Sequence, residues 1–204
     1  MFERVTAFDF PFYAVERINE YEKANKYLLE ILRQEKKADP TGRNVSNRGG
    51  YQSDHIWGHD YFHKFGEIIK PYMDELKNQI KIKDGFELAV DGAWINENKG
   101  FNFNVPHLHP RSHFACVYYV EFPKDSGSIL FLNPNNSASM TGLMDSTDCT
   151  HFRHDLSLVP KTGSLIIFPS YFEHCVLQGD NISERVTCAF NLNVRDIREE
   201  NESN

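Results

Sequence analysis

The segment Val105-Pro106-His107-Leu108-His109-Pro110 holds two histidines two residues apart and leads into the β-prone run 114–122. Its two prolines disfavour helix in the residues that precede them, so we expect the segment to be extended. Side chains alternate along a strand, and both histidines would therefore point to the same side. Two imidazoles on one side of a strand can bind a single metal ion, which makes this segment a candidate metal site.

The remainder of the chain changes character at residue 86. Before it, residues 17–36 and 56–82 repeat apolar side chains at helical spacing and are predicted to be helices, the second kinked or divided at Pro71. Residues 5–15 are rich in aromatics, contain a proline and predict an edge strand. After it come short β-prone runs separated by turn signals. These runs are 86–96, 113–122, 128–132, 164–168, 174–177 and 185–194.

Helices followed by strands predict an α+β domain with the helices packed on one side of an antiparallel sheet. Several short strands in series predict that the sheet curls into a barrel or a double-sheet jelly roll. The 204 residues suit a single domain, with a helical part over 1–82, a β-roll core over 86–194 and a disordered tail over 197–204. Residues 134–156 are predicted to form a long polar loop, and such loops are often functional.

Composition argues against several classes of partner. The net charge is −7 and no basic stripe is present, which disfavours nucleic-acid binding through phosphate neutralisation. No apolar stretch approaches the ~20 residues of a membrane span, and no signal peptide is evident. Four scattered cysteines without a Cys-x-x-Cys pair predict reduced thiols and a cytoplasmic location. The oligomeric state stays open, with a homodimer as one option.

Two downstream motifs complete the candidate site. His174 begins a short predicted strand, and a double-sheet roll can bring it to His107 and His109, which makes it the candidate third metal ligand. Eleven residues later, Arg185 and Thr187 alternate to the same side of a strand. A guanidinium beside a hydroxyl is a good receptor for a carboxylate.

The order of these motifs resembles that of the Fe(II)- and 2-oxoglutarate-dependent oxygenases, in particular a subgroup from bacteria and their phages. The resemblance runs over roughly residues 40–193, and each motif gains weight from its spacing to the others. The matching stretches are Ser46–Ser53, His107–Ser112, Val117–Val120, Phe168–Ser170 and Arg185–Asn191.

The resemblance implies a double-stranded β-helix of the cupin-like jelly-roll type with iron at its mouth. By position, His107 and His174 correspond to iron ligands, Arg185 to the residue that pairs with the far carboxylate of 2-oxoglutarate, and Thr187 to its assistant. The wider family carries Asp or Glu where this chain has His109. The implied partners are Fe(II), 2-oxoglutarate, O2 and an unidentified substrate, a small molecule or peptide that is hydroxylated as 2-oxoglutarate loses CO2. Phage members of the subgroup would act in the cytoplasm of the host.

Four further residues are candidates for lining the pocket: Asn102, Asn104, Tyr118 and Tyr119. Strand alternation places the two tyrosines on opposite faces, so at most one of them is expected to point inward.

Two alternatives remain at the level of sequence. His109 in place of an acid also suits a three-histidine iron dioxygenase of cupin type that does not use 2-oxoglutarate, although Arg185 and Thr187 speak against it. A non-catalytic β-roll that binds a ligand or partner is the other. A second histidine set, His55, His59 and His63, is spaced four apart but lacks the acid of a His-Glu-x-x-His motif, and a solvated or capping role is expected for it.

Overall fold

The computed structural model describes residues 11–134, 142, 146 and 153–198. The two helices are α1 (Tyr21–Ala38) and α2 (Asp60–Gln79). The strands are β1 (Tyr13–Val15), β2 (Asn47–Arg48), β3 (Tyr51–Gln52), β4 (Phe86–Asn98), β5 (Phe103–His107), β6 (Phe114–Glu121), β7 (Ile129–Leu132), β8 (Asp155–Leu158), β9 (Leu165–Pro169), β10 (His174–Val176) and β11 (Arg185–Asp196).

The strands form two sheets in which every pair is antiparallel. The major sheet has the order β1-β9-β6-β11-β4-β3, and the minor sheet has the order β2-β5-β10-β7-β8. Chain neighbours repeatedly enter opposite sheets, which is the winding of a double-stranded β-helix. The predicted α+β jelly roll is therefore confirmed.

Strand β11 lies in the middle of the major sheet and is covered on both faces. Its residues Val186, Cys188, Phe190 and Leu192 are buried in the cluster that also contains the helix side chains. The intervening residues Arg185, Thr187, Ala189 and Asn191 line the cavity between the two sheets. Because the strand repeat is two residues, one segment builds both the hydrophobic core and the floor of the cavity.

Both helices pack on the outer face of the major sheet. Helix α1 buries Ala24, Leu28, Ile31 and Leu32, and α2 buries Phe62, Phe65, Ile69 and Leu76, at the spacing of one helix face. Helix α1 ends before Pro40, because proline disfavours helical backbone at the preceding residue, and Asp39 is extended. Neither helix has both the length and the apolar character to cross a bilayer.

The structure differs from the sequence-based expectation in the second helix. Helix α2 begins only at Asp60 and continues through Pro71 instead of dividing there. His55 therefore lies outside the helix, and the three histidines spaced four apart do not form one helical face. His59 occupies the position before the helix, and its Nε2 lies 2.8 Å from Oε1 of Glu35 on α1.

Other differences concern short segments. The sequence predicts a long polar loop over 134–156, but strand β8 begins at the end of this segment and pairs with β7. Most of that segment, the tail from residue 199 and residues 5–10 of the predicted first strand lie outside the described residues. Gly49 and Gly50 connect β2 to β3, which belong to different sheets. Gly50 has no room for a side chain, since a Cβ there would lie 2.5 Å from Nδ2 of Asn98.

Two glycine substitutions test the packing of the roll in opposite directions. A Cβ on Gly127 would lie 1.7 Å from the carbonyl oxygen of Leu177, so Gly127→Ala should destabilise the protein by about 1–3 kcal/mol. Gly66 on α2 has no such neighbour within 4 Å, and Gly66→Ala should stabilise by about 0.5–1 kcal/mol. Urea unfolding of both variants measures the difference. Equal free energies of unfolding in the two would contradict the tight β7–β10 junction.

Candidate metal centre

Three histidines meet at one end of the cavity between the sheets. His107, His109 and His174 each offer a ring nitrogen, and these nitrogens lie within 4.8 Å of one another. Ring centroids are 4.3 Å apart for His107 and His174, 5.4 Å for His107 and His109, and 5.2 Å for His109 and His174. His109 and His174 are buried and His107 is partly buried. No other group of three potential metal ligands occurs in the described part of the chain.

The strand pairing explains how residues far apart in sequence meet. Strand β10 pairs with β5 in the minor sheet, and the register places His174 directly opposite His107. His109 lies two residues beyond the end of β5, where its backbone N–H donates to the carbonyl of Ser170 at 3.0 Å. The extended His-x-His segment therefore presents two imidazoles to the one on the neighbouring strand.

Each imidazole uses its Nδ1 in a hydrogen bond and leaves its Nε2 available. The acceptors are the carbonyl of Val105 for His107 (2.8 Å), the carbonyl of Phe172 for His174 (2.9 Å) and Oδ1 of Asn191 for His109 (2.6 Å). A neutral imidazole carries one N–H, so these acceptors place the proton on Nδ1. Three Nε2 lone pairs then remain for a metal, and the donor set suits Fe(II) as well as Zn(II), Ni(II) or Cu(II).

Burial keeps the three imidazoles neutral. Desolvation lowers the pKa of His107 and His109, and desolvation together with the neighbouring His107 lowers the pKa of His174 to about 3. A metal ion at this site would therefore meet unprotonated imidazoles at neutral pH, with little competition from protons.

Arg185 lies in the same cavity and has no counter-ion among the described residues. Its side chain is only 4% exposed, its Nη1 donates to the carbonyl of Gly127 at 3.0 Å, and its Nε has no hydrogen-bond partner in the part of the chain that the structure describes. It forms no ion pair with any residue that the structure describes. Burial lowers the pKa of this guanidinium. The cavity thus presents a largely desolvated positive charge with an unused donor.

A row of polar side chains crosses the cavity floor beside Arg185. Thr187 is opposite Asn96 on β4 and Tyr119 on β6, and Asn96 is opposite Gln52 on β3. All four side chains are buried and line the cavity, and Oδ1 of Asn96 makes no hydrogen bond to the described residues. The row supplies open hydrogen-bonding groups for a polar ligand.

The other sequence candidates divide between this cavity and other places. Asn104 lines it and donates to Oγ of Ser46 at 3.0 Å. Tyr118 does not line it: strand alternation turns this ring into the core under the helices, where its hydroxyl donates to Oδ1 of Asn25 at 2.6 Å. Asn102 is also outside it, because its Oδ1 accepts from the backbone N–H of Lys99 in a turn.

Three of the side-chain amides that line the cavity are not among the sequence candidates: Gln52, Asn96 and Asn191. Gln52 and Asn191 fall inside stretches that carry the family resemblance, but the resemblance implies no role for either. Asn96 lies in a predicted strand, and strand alternation alone does not reveal which face meets the cavity. No local pattern distinguishes these amides from ordinary strand residues.

The lowered pKa of His174 predicts that the metal-free protein loses stability as the pH falls below about 6.5. Between that value and about 3, the unfolded chain binds a proton that the folded chain does not, which favours unfolding. At pH 5 the loss from His174 alone is about 2 kcal/mol. Urea unfolding at pH 7.5 and pH 5.0 measures it, with His174→Gln as the comparison. An equal loss of stability in that variant would contradict the assignment.

Comparisons with known proteins agree with this geometry. Residues 92–191 match the protein-family model described as "Putative 2OG-Fe(II) oxygenase". That range contains the three histidines, Arg185, Thr187 and Asn191. A search of curated proteins by sequence gives no match.

Solved structures of similar fold include several oxygenases. A prolyl-4-hydroxylase from Pseudomonas putida aligns with a TM-score of 0.63 and 13% identity over 91% of this chain and 94% of the other. A viral collagen prolyl hydroxylase from Paramecium bursaria Chlorella virus-1, in complex with 2-oxoglutarate, gives 0.58 and 12% over 89% and 94%. HygX from Streptomyces hygroscopicus, with nickel, 2-oxoglutarate and hygromycin B bound, gives 0.61 and 11% over 90% and 83%.

At such low sequence identity these similarities establish only the fold. The match to the family model indicates the class of reaction. The region 92–191 belongs by this match with the 2-oxoglutarate- and Fe(II)-dependent oxygenases, and the chain is an oxygenase with Fe(II) and 2-oxoglutarate as its cofactors.

Proposed function

We propose that the protein is a hydroxylase that couples the decarboxylation of 2-oxoglutarate to the hydroxylation of an organic substrate. The observation that carries the proposal is the unpaired Arg185 in the same cavity as the histidine triad. Taking a charge out of water costs several kcal/mol unless a partner compensates for it. A carboxylate ligand supplies that partner.

The position of Arg185 suits a dicarboxylate that reaches from the metal site. Gly127, which accepts from Arg185, packs against the backbone of Leu177, three residues along the chain from His174. At 3.3 Å per residue, the backbone of Leu177 lies roughly 10 Å from that of His174. An extended five-carbon dicarboxylate, with a metal ion at one end and a guanidinium at the other, bridges such a separation.

The proposed roles follow from the atoms that each residue leaves available. Nε2 of His107, His109 and His174 would hold the metal. Arg185 and Thr187 would bind the distal carboxylate of 2-oxoglutarate. Bound Fe(II) would supply the activation of oxygen, coupled to the loss of CO2 from 2-oxoglutarate.

The walls of the cavity complete the cofactor site. Tyr119 is buried opposite Thr187, and its hydroxyl is a further candidate donor to the distal carboxylate. Ile129 and Val176 line the cavity from the minor sheet. Their apolar side chains exclude water, which strengthens the attraction between Arg185 and a carboxylate.

The substrate is proposed to enter past Val45 and Leu108, which line the cavity and are exposed at 56% and 49%. Arg185 is the only Asp, Glu, Lys or Arg side chain among the described residues that line the cavity. If 2-oxoglutarate neutralises the charge of Arg185, the space left for a substrate is uncharged and is lined by amide and apolar groups. A small organic molecule or a peptide suits that space, and its hydroxylated carbon would face the metal.

His109 is the observation in favour of a second candidate, a three-histidine dioxygenase that acts without 2-oxoglutarate. Such an enzyme has no use for a buried guanidinium that lacks a counter-ion. The unpaired charge of Arg185 therefore favours the hydroxylase, and release of succinate distinguishes the two.

The test is succinate release by protein purified without oxygen, loaded with Fe(II) and then supplied with 2-oxoglutarate and O2. Arg185→Gln removes the charge and should raise the KM for 2-oxoglutarate by about 10- to 150-fold, since hydrogen bonds to charged groups contribute about 1.5–3 kcal/mol. Arg195→Gln is the matched control, because Arg195 lies on the same strand but is exposed and pairs with Asp91. It should leave that KM unchanged.

Two results would count against the hydroxylase. One is iron-bound protein that makes no succinate and whose absorption spectrum does not respond to 2-oxoglutarate. The other is an Arg185→Gln variant with the KM of the wild type. The first result would favour the dioxygenase without 2-oxoglutarate, and the second would remove Arg185 from the cofactor site.

A further inference from the structure

We propose that Asn191 is the positioning residue that makes His109 the third metal ligand. The inference rests on the proposed function, because it gives Asn191 a role towards the metal of the same site. Oδ1 of Asn191 lies 2.6 Å from Nδ1 of His109, and the two residues are 82 positions apart in the chain. A side chain of the major sheet thereby controls a ring at the end of a strand of the minor sheet.

The contact decides which ring nitrogen faces the metal. A neutral imidazole has one N–H, and an acceptor at Nδ1 keeps the proton there and leaves a lone pair on Nε2. His107 and His174 obtain the same result from the carbonyls of Val105 and Phe172, each two residues upstream. Among the three ligands, only His109 depends on a side chain.

The chemistry at position 109 explains why a partner is needed. A carboxylate binds a metal through either oxygen and needs no choice of tautomer. An imidazole binds only through an unprotonated nitrogen that points at the metal. A histidine at this position therefore needs an acceptor on its other nitrogen, and Asn191 supplies it.

The sheet is irregular at the point where Asn191 lies. Phe190 is opposite Ala93, and Leu192 is opposite Val90, so two residues of β4 face Asn191 alone. One of these two is Gly92, with φ of +111°. An extra residue of this kind bends the strand and redirects neighbouring side chains.

Packing restricts the ring that Asn191 holds. The ring centroid of His109 lies 5.7 Å from that of Trp94 and 5.4 Å from that of His107, at interplanar angles of 31° and 26°. The imidazole therefore lies next to two flat neighbours, and the hydrogen bond to Asn191 selects between its two ring orientations.

The first readout is the tautomer of His109 in the metal-free protein, measured by 15N NMR of the imidazoles. Wild type and Asn191→Asp, which keeps an acceptor, should show the proton on Nδ1. Asn191→Ala should lose this preference. Asn104→Ala removes another carboxamide from the cavity without touching His109, and it should leave the tautomer as in wild type.

The second readout is the affinity for Co(II), followed by its visible absorption. Asn191→Ala should weaken binding about 10- to 100-fold, the usual effect of removing a partner of a ligating histidine. His109→Ala should weaken binding at least as much, and the double variant should bind like His109→Ala, because Asn191 acts only through His109. Asn191→Leu keeps the side-chain volume and replaces Asn191→Ala if that variant does not fold.

The inference is overturned if Asn191→Ala keeps the Nδ1–H tautomer and the Co(II) affinity of wild type. It is also overturned if the loss adds to that of His109→Ala, which would mean a structural effect unrelated to the ligand. Failure of the proposed function looks different: wild type would bind Co(II) with the expected tautomer and still release no succinate when loaded with Fe(II) and given 2-oxoglutarate.

Discussion

The two-residue period of strand β11 is the constraint on which the rest of the structure depends. One set of its side chains closes the core beneath α1 and α2, and the alternate set provides Arg185, Thr187 and Asn191 to the cavity. A shift of the β11 pairing register by one residue would bury the guanidinium among hydrophobic residues, and the present core side chains would then point into the cavity. The helices therefore stabilise the register that places the charge of Arg185 in the cavity.

The cavity combines neutral ligands with one desolvated positive charge. Three imidazoles are kept neutral by burial, and no acidic side chain lines the cavity among the described residues. A divalent metal bound there would retain its full charge, and Arg185 would add one more. A dianion such as 2-oxoglutarate would neutralise much of that excess, so a histidine ligand at position 109 in place of a carboxylate would strengthen the attraction of the site for its co-substrate.

The same replacement changes what the surrounding protein has to provide. A carboxylate ligand adds a negative charge to the site. A neutral imidazole adds no charge, and it binds through a given ring nitrogen in only one of its two tautomers. Backbone carbonyls two residues upstream contact Nδ1 of His107 and of His174, whereas His109 lies beyond the end of β5 and its Nδ1 contacts Asn191 from the other sheet. The orientation of the His109 ring therefore depends on the relative placement of the two sheets.

The sequence by itself determined an α+β domain with a series of short strands, the placement of His107 and His109 on one side of an extended segment, and the placement of Arg185 and Thr187 on one strand face, because these depend on short-range periodicity. It did not separate Tyr119 from Tyr118 or identify Asn191. Which face of a strand meets the cavity depends on packing against elements distant in the chain. Tertiary structure alone decided that His174 lies directly opposite His107, that no described residue is a counter-ion for Arg185 and that Asn191 contacts His109. Each of these depends on how residues tens of positions apart are placed, and no local pattern encodes that placement.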